Sequence, residues 1–361
     1  MDLHLVGGFL GSGKTTAIIG AVKVLLAQGK KAGVITNDQG KYLVDTAFFK
    51  LSDVPTVEVT GGCFCCNYDD LDDRLDQLEE AVRPDVIFAE SVGSCADIVA
   101  TVVKPLLTLR RRDTAHTSFS VFVDSRLLRM RLLGQDLPFN EDVIYIFDKQ
   151  IEEAGLLVIN KADLLLAVQV HELAGLARSR FPDKEFLFQN SLQPTQVQHW
   201  VEVLNSNHYD FQSRPLEIDY NRYGAGEAHL AWLDEKLILR VLPGKADMLI
   251  IHLIQSVLDS IQAQHIPVGH LKFFIRTAEK EVKVSFPTFS DVNWEGQIRG
   301  FDGSGEIQFL INGRIEVEAS VFKELVQKAL QKTVNSFQVE ISQVEIDYFH
   351  PNFPRPTHRM V

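Results

Sequence analysis

Cysteine and long apolar runs are what this sequence has least of. Four cysteines occur in 361 residues, too few for the disulfide framework that stabilises small secreted domains. No segment approaches the roughly 18 consecutive apolar residues of a membrane-spanning helix. The first motif begins by Gly7, which leaves no room for the regions of a signal peptide. We therefore expect a cytoplasmic protein with no membrane partner, whose thiols stay reduced.

Positive charge is also in deficit. The chain carries 36 lysine and arginine residues against 48 aspartate and glutamate residues, a formal net charge of -12. A chain with a net negative charge is not attracted overall to a polyanion, so we expect no nucleic acid as a partner. The hydrophobic fraction of 45% is that of an ordinary globular protein. The length predicts about two domains, at roughly 100–200 residues each.

Three of the few cysteines nevertheless fall together, at Cys63, Cys65 and Cys66 in the segment GCFCC. Adjacent cysteines make strained disulfide partners, whereas closely spaced thiolates are soft ligands for Zn²⁺ and related metals. We therefore predict a metal site at these three residues. The alternative is that they are small buried residues packed under a sheet. The fourth, Cys95 in the segment GSCA, we interpret as a packing residue.

The first half of the chain alternates short apolar runs with amphipathic stretches. This alternation predicts an α/β domain over residues 1–205, with a mostly parallel sheet covered by helices on both faces. Helices are predicted from Lys14 to about Gln28 and from Asp69 to Val82. The predicted strands are Leu3–Val6, Ala32–Ile35, Thr56–Val59, Asp85–Ala89, Ser118–Val123, Leu156–Ile159 and Glu185–Phe188.

The second half predicts a smaller α+β domain. Residues 206–228 are polar and read as a linker, residues 229–350 as the domain, and residues 351–361 as an irregular tail. The order resembles a ferredoxin-like βαββαβ sandwich with extra strands. Asn312-Gly313 is the strongest hairpin signal. The predicted elements are strands Lys236–Leu242, His270–Arg276, Glu281–Phe286, Glu306–Ile311, Arg314–Glu318 and Phe337–Ile346, and helices Asp247–Gln264 and Ser320–Thr333.

A phosphate-binding loop follows the first predicted strand. Residues 8–15 read GFLGSGKT and fit G-x-x-x-x-G-K-[ST] in full, between a strand and a helix. Glycines let backbone N–H groups turn toward phosphate oxygens, and the helix N-terminus aims its positive dipole end at the same place. Lys14 would reach the terminal phosphates and Thr15 would coordinate Mg²⁺. The predicted nucleotide-binding residues here are Gly11, Ser12, Gly13, Lys14, Thr15 and Thr16.

A second motif indicates that the base is guanine. Asn160-Lys161-Ala162-Asp163 follows a late apolar strand downstream of the phosphate loop. The Asp163 carboxylate can accept hydrogen bonds from the guanine ring N–H and amino group, whereas adenine offers an acceptor there. Asn160 and Lys161 would support the base and the loop. Ser191, after the next strand, would add a backbone contact to the guanine oxygen.

With GCFCC between them, these motifs resemble the CobW-type GTPases, metal-chaperone relatives of the nickel-insertion GTPases of hydrogenase and urease maturation. The resemblance covers roughly residues 3–200, with the motifs in the family order. It implies a P-loop GTPase fold for the first domain. The matching segments are Lys14-Thr15-Thr16, Asn37-Asp38-Gln39-Gly40 with Val44-Asp45, Gly62-Cys63-Phe64-Cys65-Cys66, Val86 to Gly93, and Asn160 to Asp163.

The resemblance also implies roles for individual carboxylates. Glu90 stands at the strand end where an aspartate is more usual, and it is expected to hold the Mg²⁺ shell or a water. Asp38 is expected to bind Mg²⁺ or to orient the attacking water, and Asp45 is a weaker candidate for positioning that water. Lys14, Asp38 and Glu90 are therefore the predicted catalytic residues, and Thr15, Asp38 and Glu90 the predicted Mg²⁺ ligands.

The sequence departs from the family pattern at two places. Thr36 and Lys41 stand where some members carry further metal-binding acids, which argues against a second surface metal site. The frequent histidine-rich stretch is absent, which argues against bulk metal storage.

We expect a GTP-hydrolysing metallochaperone that binds GTP or GDP, Mg²⁺ and a transition metal, Zn²⁺ or Co²⁺, and delivers the metal to a client apometalloprotein. A nucleotide-dependent dimer is possible in such a protein. The alternatives are a GTPase that activates a cobalamin-dependent or other metalloenzyme, a P-loop kinase of a small metabolite, and a redox module in which the cysteines sense oxidants.

Overall fold

The structure is a computed structural model of the chain. It describes residues 1–40, 44, 49, 54–60, 62–109, 116–206, 216–242, 244–289, 293–301 and 305–360; Lys41 and Asp45 lie outside them. The chain divides into two compact units. The first comprises Met1–Gln39, Asp45–Gly226 and Phe353–Val361, and the second comprises Gly40–Val44 and Glu227–Asn352.

A parallel sheet forms the centre of the first unit. Within the described residues it has seven strands in the order β3-β2-β4-β1-β5-β6-β7. All seven predicted strands are confirmed, because strands buried on both faces read as short apolar runs. The strands are β1 (Asp2–Gly8), β2 (Ala32–Asp38), β3 (Thr56–Thr60), β4 (Val86–Glu90), β5 (His116–Asp124), β6 (Leu156–Asn160) and β7 (Glu185–Gln189).

Helices alternate with these strands. The amphipathic pattern predicted the first two, and α1 buries Ile18 and Val22 in a core that includes Phe88 of the sheet and Trp200. The helices are α1 (Lys14–Ala27), α2 (Tyr68–Val82), α3 (Lys104–Thr108), α4 (Ser125–Leu132), α5 (Glu141–Glu153), α6 (Ala167–Arg180), α7 (Pro194–Ser206) and α8 (Tyr220–His229), with a π-helix at Val99–Val103 and a 3₁₀ helix at Ala162–Leu164.

The strand register gathers the motifs at one edge of this sheet. Glu90 at the end of β4 pairs with Val6 of β1 and with Thr36 of β2. Because all the strands run parallel, the loops that follow them converge at their carboxyl ends. The cysteine segment follows β3 and the phosphate loop follows β1, so three strand spacings, roughly 14 Å in all, separate the two strands concerned.

The second unit contains an antiparallel sheet with helices. In the residues described, its order is β10-β9-β11-β8-β12, which is the predicted ferredoxin-like order with β10 added beside β9. Phe322 and Val257 of the two helices share a core with Leu237 and Ile311 of the sheet. The elements are β8 (Leu230–Arg240), α9 (Ala246–Ala263), β9 (Val268–Arg276), β10 (Glu281–Pro287), a 3₁₀ helix (Glu295–Gln297), β11 (Glu306–Glu316), α10 (Ala319–Phe337) and β12 (Glu340–Phe349).

The predicted hairpin at Asn312-Gly313 is wrong. Both residues lie inside the single strand β11, which pairs with β8 along its whole length. Gly313 is required because a Cβ there would lie 2.3 Å from Phe322 Cζ. Asn312 donates a hydrogen bond to Asp234 Oδ1 at 2.6 Å. The two residues therefore serve close packing and a buried polar contact, and the short-range turn signal was misleading.

The segments predicted as linker and tail also differ from expectation. Helix α8 occupies the end of the polar stretch 206–228, and residues 207–215 lie outside the described part. The tail has no regular secondary structure but belongs to the first unit from Phe353 onward. Among the described residues, no helix combines the length and the apolar composition needed to cross a bilayer.

Candidate nucleotide site and thiol cluster

The phosphate loop takes a shape that only glycine permits at two positions. Gly8 has φ 124° and Gly13 has φ 96°, in the left-handed region that other residues rarely adopt. A Cβ on Gly8 would lie 2.1 Å from Phe122 O, and one on Gly13 would lie 2.4 Å from Asn160 Nδ2. The tight loop leads directly into α1, so its geometry fits a phosphate cradle at a helix N-terminus.

The two side chains predicted after the loop make hydrogen bonds to the loop and to β4. Lys14 Nζ donates to Gly8 O at 2.7 Å, which holds the ammonium against the loop. Thr15 Oγ1 donates to Glu90 Oε1 at 2.9 Å. A hydroxyl beside a carboxylate is the oxygen-donor set that Mg²⁺ prefers, so the residues present fit this ion. Thr16 follows Thr15 in α1. Asp38 is the last residue of β2, which pairs with β4, the strand that ends at Glu90.

The predicted guanine motif, Asn160 to Asp163, makes hydrogen bonds to the phosphate loop. Asn160 Nδ2 donates to Ser12 O at 2.8 Å, and Lys161 Nζ donates to Gly11 O at 2.6 Å. Ser191 donates to Asn160 Oδ1 through both its N–H and its hydroxyl, at 3.2 and 2.8 Å. These hydrogen bonds bring together five of the residues predicted to bind the nucleotide: Gly11, Ser12, Asn160, Lys161 and Ser191. Contacts of this kind hold the predicted base-binding loop at a fixed place beside the phosphate loop.

Asp163, the residue predicted to specify the base, lies at the surface. Asp163 lies exposed in the 3₁₀ helix Ala162–Leu164, just after Lys161, whose φ is 57°. Its carboxylate is therefore accessible to a ligand at the rim of the site.

Sequence reasoning missed Asp124, which ends β5. Its carboxylate accepts from Lys161 Nζ at 3.0 Å and from Arg126 Nη2 at 2.8 Å. Burial opposes ionisation of Asp124, but the hydrogen bond from Arg126 and the charge of Lys161 outweigh it and hold the pKa of the carboxyl below its usual range. Asp124 thus fixes Lys161 on the phosphate loop. A carboxylate at the end of a buried strand was the signal that could have found it.

The three clustered cysteines form a compact set of sulfur atoms. The Sγ atoms of Cys63, Cys65 and Cys66 all lie within 4.8 Å of one another. They come together because Cys66 N and Asn67 N both donate to Cys63 O, at 3.0 and 2.9 Å, and the resulting turn leads into α2 at Tyr68. The predicted metal-ligating residues are thus placed as one group, at a helix N-terminus that favours thiolates.

Their environment separates the acidities of the three thiols. Hydrogen bonds from Cys65 and Cys66 hold the pKa of the Cys63 thiol well below its usual range, despite its burial. The hydrogen bond to Cys63 raises the pKa of Cys65, and that to Cys63 raises the pKa of Cys66 to about 11. One thiolate shared among several thiols is an arrangement suited to receiving a soft cation, which replaces the bridging protons.

Asn37 connects this cysteine turn to the end of β2. Its Nδ2 donates to Gly62 O at 2.7 Å and to Val59 O at 3.2 Å, and its Oδ1 accepts from Phe64 N at 2.9 Å. The buried side-chain amide of Asn37 therefore makes hydrogen bonds to the backbone on both sides of Cys63. The next residue, Asp38, is the predicted Mg²⁺ and water ligand.

A model of the CobW/HypB/UreG nucleotide-binding domain matches residues 2–189, more than half of the chain. The chain belongs to the CobW/HypB/UreG family. Similar proteins include a zinc chaperone CobW of Sinorhizobium sp, 30% identical over 183 residues, which are 45% of this chain and 51% of that protein. A zinc chaperone YeiR of Escherichia coli (strain K12) is 32% identical over 170 residues, 44% of this chain and 46% of that protein.

A third relative is the zinc-regulated GTPase metalloprotein activator 1 of Dictyostelium discoideum, 24% identical over 242 residues, 59% of this chain and 50% of that protein. The chain spans about half the length of the curated relatives it matches. The CobW/HypB/UreG match itself covers the phosphate loop, the cysteine segment and the guanine motif.

In this CobW/HypB/UreG protein the fourth cysteine lies outside the compact group of three sulfur atoms. Cys95 is buried, as expected of a packing residue. Together with the larger effect of the hydrogen bonds from Cys65 and Cys66, its nearby thiol helps to hold the pKa of the Cys63 thiol below its usual range. Cys95 lies on the loop that follows Glu90 of β4. Neither spacing nor composition indicated this effect, because Cys95 and Cys63 lie on loops that follow different strands, β4 and β3.

The carboxyl-terminal tail covers the cysteine turn. Arg355 N donates to Cys66 Sγ at 3.2 Å, and Thr357 N donates to Cys65 O at 2.8 Å. Arg359 Nε contacts the buried Asp97 Oδ2 at 2.7 Å. The tail of this CobW/HypB/UreG chain thus touches both the cysteine turn and the loop that carries Cys95, a contact that the irregular, proline-rich sequence did not predict.

Proposed function

We propose that this protein is a GTP-hydrolysing metallochaperone of the cytoplasm, which loads a transition metal on its cysteine cluster and delivers it to a client apometalloprotein. One observation carries the proposal: Asn37 joins the end of β2, beside the nucleotide motifs, to the backbone on both sides of Cys63. A change at the phosphate side of β2 therefore reaches the cysteine turn through direct hydrogen bonds.

Hydrolysis in this proposal depends on positioning and charge, since phosphoryl transfer needs little covalent help from the protein. Lys14 releases Gly8 O and places its ammonium on the terminal phosphates. Thr15 and Glu90 would hold Mg²⁺, which when bound neutralises charge on the phosphate oxygens. Asp38 orients the attacking water. A slow intrinsic rate is expected, raised by a client or by a nucleotide-dependent dimer.

The metal is cargo in this scheme. Thiolates are soft ligands, and a set of three or more favours Zn²⁺ or Co²⁺ over hard cations such as Mg²⁺ and Ca²⁺. Three of the similar proteins carry zinc in their names, which supports zinc as the first metal to test. The second unit is the proposed docking site for the client.

The proposal is tested by measuring Zn²⁺ affinity by chelator competition, with and without a non-hydrolysable GTP analogue. The wild type should bind one equivalent, and the affinity should differ between nucleotide states because coupling requires different affinities of those states for the metal. The double variant Cys65→Ser, Cys66→Ser should lose that binding. An affinity unchanged in the double variant would remove the metal role.

The choice of base is tested at Asp163. Because its carboxylate is proposed to accept from the guanine ring N–H and amino group, Asp163→Asn should weaken GTP binding by about 10- to 100-fold, the value of a charged hydrogen-bond pair. The variant should gain affinity for xanthosine triphosphate, whose ring presents complementary groups. ATP binding equal to GTP binding in the wild type would contradict the assignment.

A further inference from the structure

We propose that the tail segment Phe353–Met360 is a strap that closes the sulfur cluster, and that a client must displace this strap to receive the metal. The inference rests on the proposed metal-binding function and adds the regulation of that site. The sulfur cluster is the group Cys63, Cys65 and Cys66, whose Sγ atoms lie within 4.8 Å of one another. The strap and the cluster both belong to the first unit.

The middle of the strap lies on the cysteine turn. Thr357 N donates to Cys65 O at 2.8 Å, and Thr357 Oγ1 donates to Cys66 O at 3.1 Å. Arg355 N donates to Cys66 Sγ at 3.2 Å. Cys63 and Cys65 are buried, whereas Cys66 is half-buried, so its sulfur is the one that an incoming ligand reaches first. The strap therefore lies on the accessible end of the cluster.

Phe353 holds the first end of the strap on helix α8. A Cβ on Gly224 would lie 2.2 Å from Phe353 Cδ1, so the ring packs directly against the backbone of that helix. The exposed fraction of Phe353 is 50%, so half of the residue stays in contact with water. The first anchor is therefore an apolar contact at the surface, which can be broken without opening the core of the unit.

Arg359 holds the other end of the strap. Its Nε donates to Asp97 Oδ2 at 2.7 Å, and its Nη2 donates to Leu216 O at 3.0 Å. The Asp97 side chain is fully buried, whereas Arg359 is partly exposed. Tyr220 Oη also donates to Asp97 Oδ2, at 2.7 Å. Because Asp97 keeps this second donor when Arg359 leaves, the strap can open without leaving a buried carboxylate unpaired.

The strap is stiff before it docks. Pro354 and Pro356 lie on either side of Arg355, and each proline ring fixes its φ at about −65°. A segment that is already restricted loses less conformational entropy when it binds. Beyond the cysteine turn, Met360 N donates to Ala100 O at 2.8 Å. The strap therefore docks through backbone hydrogen bonds along its length as well as through its two anchors.

These contacts define the kind of partner that opens the strap. A client that takes the metal must bring its own ligand atom to the ion, and the strap lies across that approach at Cys66. A client segment replaces the strap when it makes the same contacts. Such a segment is extended, offers N–H donors to the carbonyls of Cys65 and Ala100, and carries a cationic side chain for Asp97. In the absence of a client, the closed strap slows both loss of metal and attack on the thiols.

The test measures how fast Cys66 of the metal-free full-length protein reacts with iodoacetamide, followed by mass spectrometry. Arg359→Ala removes one anchor without touching the cysteine turn and should raise this rate by about 10- to 100-fold, the value of hydrogen bonds between charged groups. Phe353→Ala removes the other anchor and should also raise the rate. Zinc transfer to a chelator should quicken in both variants. The matched control is Arg355→Ala, which removes an exposed side chain of the same strap and should react as the wild type does.

A free peptide of residues 353–361, added to the full-length Arg359→Ala variant, should restore the slow reaction of Cys66, and the same peptide carrying Arg359→Ala should not. Equal rates in the wild type and both anchor variants would overturn the strap. A wild type that binds no zinc, with faster thiol reaction in the anchor variants, would instead overturn the proposed function and leave the closure intact. Circular dichroism verifies each fold, and Phe353→Ala, at a half-exposed position, keeps the test decisive if Arg359→Ala fails to fold.

Discussion

At the scale of single residues, Asn37 is the position on which the account depends most. It makes three hydrogen bonds with the backbone around Cys63 and precedes the predicted Mg²⁺ ligand Asp38. An amide can donate and accept at once, which no apolar residue of similar size can do. The sequence placed Asn37 in a segment that matches the family, but its hydrogen bonds to the cysteine turn are visible only in the structure.

We predict that Asn37→Ala removes most of the dependence of zinc affinity on nucleotide. The truncation leaves Gly62 O and Phe64 N without their partner, so the cysteine turn no longer follows β2. A coupling of about 1–3 kcal/mol is typical of linked sites, and the ratio of zinc affinities with GTP analogue and GDP should approach one. Zinc binding itself should persist.

The matched control for this variant is Asn140→Ala. Asn140 caps helix α5, accepting from Asp142 N at 2.9 Å, so its loss also costs about 1 kcal/mol of stability but touches neither site. A nucleotide-dependent zinc affinity that survived in Asn37→Ala as it does in Asn140→Ala would show that the coupling runs elsewhere.

Glu153 predicts a specific dependence of stability on pH. Burial raises the pKa of its carboxyl to about 8, although Val99 N donates to it. The folded chain therefore holds a proton that the unfolded chain loses above about pH 4.5. The stabilisation is complete below that pH and is lost as pH rises through 8, with a slope of up to about 1.4 kcal/mol per pH unit.

Glu153→Gln keeps an acceptor for Val99 N but cannot ionise, so its free energy of unfolding should fall less between pH 5 and 8 than that of the wild type. Urea unfolding across this range measures the two slopes. Glu152→Gln, at the exposed neighbour on the same helix, should leave the slope as it is. Parallel curves for the wild type and Glu153→Gln would contradict the assigned pKa.

At the scale of elements, the strands of the first unit were predictable and the later connections were not. Strands buried on both faces leave continuous apolar runs, of which Leu156–Asn160 is typical, and the phosphate loop and guanine motif follow such runs directly. The prediction of a hairpin at Asn312-Gly313 was wrong because it used only the local sequence. Gly313 is instead needed for close packing against Phe322, on a helix that is distant in sequence. The tail carries no periodicity, so its docking depends on contacts that a sequence does not display.

That tail provides an element-scale prediction. Arg355 N is the backbone donor to Cys66 Sγ, and proline has no N–H to give. Arg355→Pro suits the extended stretch between Pro354 and Pro356 but deletes the donor, so zinc affinity should fall by about 10-fold, as for other outer-shell changes. Arg355→Ala keeps the N–H and should bind zinc as the wild type does.

Equal affinities in the two Arg355 variants would mean that the tail merely covers the cysteine turn. A loss in Arg355→Ala as large as that in Arg355→Pro would point to the guanidinium and not the backbone. Chelator competition in the absence of nucleotide measures both variants directly.

At the scale of the whole molecule, the strand order explains why the phosphate loop and the cysteine segment lie at the same edge of the sheet. The central strands β2 and β4 lie between the cysteine strand β3 and the phosphate-loop strand β1. Each of the two ends in a residue predicted for the nucleotide site, Asp38 or Glu90, and Asn37 of β2 also makes hydrogen bonds to the cysteine turn. The sequence predicted the motifs and their order, whereas their convergence required the strand order.

We infer that the nucleotide site and the sulfur cluster are thermodynamically linked through Asn37 of β2. The most direct measurement is calorimetric titration of a complete cycle: zinc into protein with GTP analogue and with GDP, and GTP analogue and GDP each into protein with and without zinc. The account predicts that zinc affinity changes between the two nucleotides by about 5- to 150-fold, and that zinc changes the relative affinity of those nucleotides by the same factor. A factor of one on both sides of the cycle would contradict it.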